Sequence, residues 1–114
     1  MPWLRNWHDT DEPGADPGPL DLPIPPAEAL PRVEAAIRSL PRWNVETTDA
    51  AAGTVTATRR TRLFRFTDDI TIRLEPTPTG TRVHARSKSR VGKSDFGQNR
   101  RNVIELFTAI RTAG

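Results

Sequence analysis

The stretch Arg90-Val91-Gly92-Lys93-Ser94-Asp95-Phe96-Gly97-Gln98-Asn99-Arg100-Arg101 gathers much of the chain's polar chemistry. Arg90, Lys93, Ser94, Asn99 and Arg100 place charge and hydrogen-bond donors where a strand hands over to a helix. The free N–H groups of a helix start suit a small anion. The glycines lack P-loop spacing and the Gly-Lys-Ser/Thr ending, so turn geometry and close packing are their other role. Asn99 is the telling residue. It falls one turn before Val103 on the helix side that should be buried, so its amide must bond a strand backbone or a ligand.

Asp68, Asp69, Asp95 and Arg101 are expected to complete a polar network at the same end. Adjacent acids in a strand point to opposite faces, so Asp68 and Asp69 are not a carboxylate pair for acid/base work. One of them is expected to pair with Arg90, Arg100 or Arg101 and so fix the helix against the sheet.

Other chemistry finds less support. There is no cysteine and no Gly-x-Ser-x-Gly elbow, so only His8 and His84 remain as candidate bases. His84 falls in a row of basic residues, where neighbouring positive charge should disfavour its protonated form; it is expected to be a surface histidine. His8, Asp9, Asp11 and Glu12 match no loop in which they would converge on a metal. No metal or other cofactor is expected. Arg60, Arg62, Arg73, Arg82, Arg86 and Lys88 could share one sheet face, a footprint for phosphate. That face lacks the aromatics on which RNA-binding sheets stack bases.

The elements that position these residues follow from hydrophobic period. Leu20, Leu22 and Ile24 alternate with Asp21 and Pro23, as in a short edge strand. Pro25 and Pro26 open a helix with its apolar stripe at Leu30, Val33, Ala36, Ile37 and Leu40. Pro31 suits only a first turn, which places the regular helix from near residue 30, and Pro41 ends it. Strands follow from Trp43, from Val55 to about Arg62, from Ile70 and from Val83, with a bend at Leu63, Phe64 and Phe66. In the last strand Arg82, His84, Arg86, Lys88 and Arg90 oppose Val83, Ala85, Ser87, Ser89 and Val91. Asp95 with Gln98 reads as an N-cap and capping box for a final helix whose stripe is Val103, Leu106, Phe107 and Ile110.

This is an α+β pattern: a twisted antiparallel meander of four to five strands with two helices packed on one face, a reduced helix-grip. A ferredoxin-like split is the alternative. Residues 1–19 form a mostly irregular acidic leader, in which Trp3 and Trp7 are expected to dock on the body or a partner, and residues 20–114 form the domain. Residues 1–31 hold six acids against one base, and the rest hold sixteen bases against eight acids, which together give the net +3. Such a division fits a polyanion partner, or a leader lying across its own basic surface. The absence of an apolar h-region or spanning run gives the expectation of a soluble, cytoplasmic chain.

Three stretches also carry a resemblance: Ala29-Leu30 to Leu40-Pro41-Arg42-Trp43, Thr61-Arg62-Leu63-Phe64-Arg65-Phe66-Thr67-Asp68-Asp69, and Ser87-Lys88-Ser89 through Arg101. From about Asn6 onward the chain resembles the bacterial and plastid domain-of-unknown-function family fourteen-ninety-nine. The resemblance supports the fold and marks the polar junction, and it names no substrate. The expected function is non-enzymatic binding of a small anion or a protein partner at that junction. Polyanion binding by the basic face and an enzyme of undetected type are the alternatives.

Overall fold

The computed structural model describes residues 5–61, 66–92 and 95–113. In chain order it contains β1 (Trp7–Asp9), β2 (Leu20–Leu22), α1 (Pro26–Ser39), β3 (Trp43–Asp49), β4 (Thr54–Arg60), β5 (Thr67–Thr77), β6 (Gly80–Ser89) and α2 (Gln98–Thr112). β3 to β6 form the meander. The sheet order is β1-β6-β5-β4-β3, with β2 also paired to β6. All pairings are antiparallel.

The sheet has six strands, against the four to five expected. The addition is β1, and its alternation is hidden because its buried residue is His8, whose Nε2 lies 2.9 Å from the Pro17 carbonyl. β1 and β2 lie end to end along β6, Trp7 to Asp9 opposite Lys88 to Arg86 and Leu20 to Leu22 opposite Val83 to Thr81. Together they cover an edge that would otherwise expose unpaired backbone groups. Gly80 permits the close approach, since a Cβ there would collide with the Leu22 carbonyl.

Alternation in β4, β5 and β6 sends Val55, Ala57, Ile70, Ile72, Leu74, Val83 and Ala85 to the helix side. Against them lie Val33 and Ile37 of α1, and Val103, Leu106, Phe107 and Ile110 of α2. Each large side chain buried there contributes about 1.5–3 kcal/mol, and Phe107→Ala would cost about 3–5 kcal/mol. The helices also touch each other. Arg32 donates to the carbonyls of Ile110 and Arg111 at 2.8 and 3.0 Å, where a cation favours the end of α2.

Two helix starts differ from expectation. α1 begins at Pro26, with Pro25 as N-cap, and carries Pro31 inside. Pro31 is on the exposed side and Ala27, whose carbonyl loses its partner, is exposed too, so the lost bond is tolerable. In α2 the N-cap is Gly97 in the left-handed region. Asp95 instead caps from two residues earlier, accepting from the N–H of Gly97 and Asn99 at 2.8 and 3.0 Å. Gln98 turns to Asn102 and Arg101, so the reciprocal half of the capping box is missing.

β4 ends at Arg60 rather than Arg62. A bulge at Glu46 interrupts the pairing of β3 with β4, and Thr58 Oγ1 donates to the Glu46 carboxylate at 2.9 Å. Trp7 docks within the leader: its indole N–H donates to Glu12 at 2.7 Å and Arg5 stacks 5.2 Å from a ring centroid. Trp3, Leu63 and Phe64 lie outside the described residues.

Candidate functional site: a polar row beneath the last helix

At one end of the sheet the inward apolar pattern stops. Trp43, Arg59, Asp68 and Ser89 are register partners across β3, β4, β5 and β6. α2 crosses this row with three side chains at three-residue spacing, so they share one helix face. Asn99 reaches Ser87 and Ser89 on β6. Asn102 donates to Asp68 on β5 at 2.8 Å and to Ser87 at 3.1 Å. Glu105 accepts from the Trp43 indole at 2.6 Å and stands 3.7 Å from Arg59 Nε.

Asn99 is fully buried and fully used. Its Oδ1 accepts from Ser87 at 2.6 Å. Its Nδ2 faces the Asn6 carbonyl at 2.8 Å, Ser89 Oγ at 2.8 Å and Asp95 Oδ2 at 2.6 Å. Two amide hydrogens facing three acceptors leave no donor over. Of the two partners expected, a strand backbone or a ligand, the described residues supply a backbone carbonyl, that of Asn6 just before β1.

The sheet divides the residues expected to converge. Asp95 and Asn99 meet beneath α2, and Asp68 is linked to them through Asn102 and Ser87. Asp69 and Arg90 pair on the opposite face, with two hydrogen bonds of 2.9 Å. The bonded guanidinium holds the Asp69 carboxyl below its ordinary value, partly opposed by burial, and the carboxylate in turn raises Arg90. Arg100 donates to the Asp16 carbonyl at 2.7 Å, and Arg101 to the Phe96 carbonyl at 3.0 Å. Lys93, Ser94 and Arg62 lie outside the described residues. The sequence reading did not single out Arg59, Asn102 or Glu105. Arg59 keeps step with Val55 and Ala57, and Asn102 and Glu105 follow Asn99 at steps of three, so their spacing carried the signal.

On the outer face the acidic leader meets the basic row. Asp9 is 3.9 Å from Arg86, Asp11 is 3.5 Å from Arg73, and Asp21 is 2.8 Å from Arg82. The Arg82 hydrogen bond holds Asp21 below its ordinary value. Burial pushes Asp11 up, but His84 and Arg73 together outweigh it and lower the group. His84 is not ringed by positive charge as expected. Its Nδ1 faces Asp11 and its Nε2 faces Glu75 at 2.8 Å, and this contact lowers Glu75. Arg60 and Lys88 are exposed and form no side-chain bond with described residues. Among the described residues no group of three His, Asp or Glu could hold a metal ion, and no helix is long and apolar enough to cross a membrane.

Apolar side chains are exposed at the same end: Phe66, Val91 and Phe96, the last 78 % exposed. The Arg90 N–H bonds the Thr67 carbonyl, so Phe66 and Val91 are the next residues along that pairing. Phe96 has φ 50 and Gly97 has φ 81, two successive left-handed residues.

Residues 6–110 match the family described as protein of unknown function (DUF1499). The chain belongs to this family. A crystal structure of protein MLL2253 from Mesorhizobium loti shares the fold, with a TM-score of 0.63 at 12% identity over 83% of this chain and 92% of that one. No curated protein matches. In this DUF1499 chain the Ser87 to Arg101 stretch supplies Ser87, Ser89 and Asn99 to the polar row, with Asp95 bonded to Asn99 beside them.

Proposed function

We propose that this DUF1499 domain is a non-enzymatic binding module that takes a protein partner at the end where β5, β6 and α2 meet. The observation that supports this is Phe96. A left-handed aromatic residue costs about 1–2 kcal/mol, and this one is 78 % exposed. The turn is nevertheless held on both sides, by Asp95 on the Gly97 and Asn99 N–H groups and by Arg101 on the Phe96 carbonyl. The buried amides beneath α2 act as a rigid base that presents this ring. An aromatic anchor with apolar neighbours is the usual centre of a protein interface. Arg101, bonded to the Phe96 carbonyl, suits a partner whose apolar pocket carries an acid at its rim.

Polyanion binding by the outer face is less favoured, because leader acids already compensate Arg73, Arg82 and Arg86.

A photo-crosslinking residue at position 96, introduced in the host cell, tests the proposal. It should yield one discrete adduct that disappears when Phe66 and Val91 are changed to Ser. The same label at Thr77, at the far end of the sheet, should yield none. No adduct at 96, or the same adducts at both positions, would sink it.

A further inference from the structure

Arg59 is the one anomaly in the polar row. It is 8% exposed, and alternation places it on the helix side of β4 with Val55 and Ala57. Its Nε is buried with no hydrogen-bond partner. No hydrogen bond to the described residues engages the rest of the guanidinium. The nearest carboxylate oxygen, Glu105 Oε1, is 3.7 Å away and already accepts the Trp43 indole N–H at 2.6 Å. Asp68, the register partner on the other side, is engaged by Asn102.

A buried guanidinium loses its hydration and must regain it from a partner. Glu105 is within ion-pair range but beyond hydrogen-bond distance and already accepts from Trp43, while Asp68 accepts from Asn102, so neither meets the Nε–H with a hydrogen bond. A buried Nε–H left with a long ion pair and no hydrogen bond costs the fold free energy, and an occupant that accepts from it would recover that cost. The guanidinium's planar fork of donors matches two oxygens of a carboxylate or phosphate. Access lies beside Glu105. That residue lines an open groove of about 480 Å³ between the end of α1 and α2, together with Ser39, Leu40, Arg101, Ile104 and Thr108. Arg101 also lines that groove and adds a second positive charge, so Asp68 and Glu105 do not make the site net negative.

We infer that Arg59 is the receptor for a small oxyanion, a carboxylate or phosphate group, entering beside Glu105 from the groove between the helices. The site is independent of the Phe96 surface, and neither stands or falls with the other.

The test follows the side-chain Nε–H signal of Arg59 by NMR in ¹⁵N-labelled full-length protein, assigned by its loss in Arg59→Met. Sodium acetate and sodium phosphate are titrated separately against sodium chloride at equal ionic strength. Acetate, phosphate or both should produce a saturable shift and a rise in melting temperature that chloride does not. Whichever anion does so identifies the chemistry of the occupant. Arg59→Met should melt no lower than the parent without anion, and should lose the anion response. Glu105→Gln keeps an oxygen for Trp43 but removes a competing charge, so it should bind about fivefold tighter or more. Equal shifts in chloride, or a response that survives in Arg59→Met, would overturn the inference. So would an Arg59 signal already protected from exchange and indifferent to anions, since that would mean a closed pair with Glu105. Should Arg59→Met not fold, Glu105→Gln decides alone, and unchanged affinity there also overturns the inference.

Discussion

The Asn99 side-chain amide donates to the Asn6 backbone carbonyl at 2.8 Å, across 93 positions of chain. One buried side chain of α2 thus holds the edge of β1 while also bonding Ser87, Ser89 and Asp95. Asn99→Ala should therefore lower stability by about 1–3 kcal/mol, with acceptors left unpaired. Asn99→Asp should cost more, because it cannot donate to Asn6 and adds charge beside Asp95. Urea unfolding measures both. If the two variants prove equally stable, the donor is not what the position needs.

The leader lies on the protein's own basic row through Asp9, Asp11 and Asp21. Changing all three to Asn should free Arg86, Arg73 and Arg82 and make retention on heparin stronger and steeper in salt. Exposed pairs of this kind are screened by solvent and contribute little to stability, so the variant should remain folded. Unchanged elution would mean that those arginines do not control polyanion affinity.

Much of this architecture was legible because its signals are local. β6 alternates Val83, Ala85 and Ser87 inward against Arg82, Arg86 and Lys88 outward, and that period survives intact in the fold. Asn99 stood out as polar on an apolar stripe, and its burial explains why. β1 was not legible, since three residues with a histidine inward carry no hydrophobic period and pair only because β6 has a free edge. Pro31 misplaced the start of α1, because a missing hydrogen bond is tolerated on an exposed helix side. Arg59 was hidden for the opposite reason. Its parity matched Val55 and Ala57, but its charge argued for solvent. The expected convergence of Arg90 with Asn99 failed because nearness in the chain does not fix the side of a sheet on which a residue emerges.

Several acids share a direction of shift with a common consequence. Asp69 is lowered chiefly by Arg90, Asp21 by Arg82 and Glu75 by His84. For a carboxyl lowered by folding, the unfolded chain binds more protons as pH falls, so the stabilisation is present above its unfolded value and lost as pH drops through the folded one. The protein should thus weaken below about pH 4, near the ordinary carboxyl range. Arg90→Gln should flatten part of that loss while changing the neutral-pH midpoint little, since the pair is half exposed and screened. Urea midpoints across that range test this. A slope identical to the parent's would remove the pair from the account of acid sensitivity.

Phe96 separates stability from recognition. Glycine accepts a φ of 50 without the Cβ strain that an aromatic residue bears, although it also loosens the unfolded chain. The two effects nearly offset each other, and a ring that is 78 % exposed has little burial to lose. Phe96→Gly should consequently leave stability within about 1 kcal/mol of the parent, on the favourable side if strain dominates. The partner-dependent adduct should vanish in the same protein when the crosslinking label is moved to position 91. Calorimetry and crosslinking on one preparation read the two quantities together. A marked loss of stability would assign the ring to packing of the turn, and an adduct that persists would remove it from the docking surface.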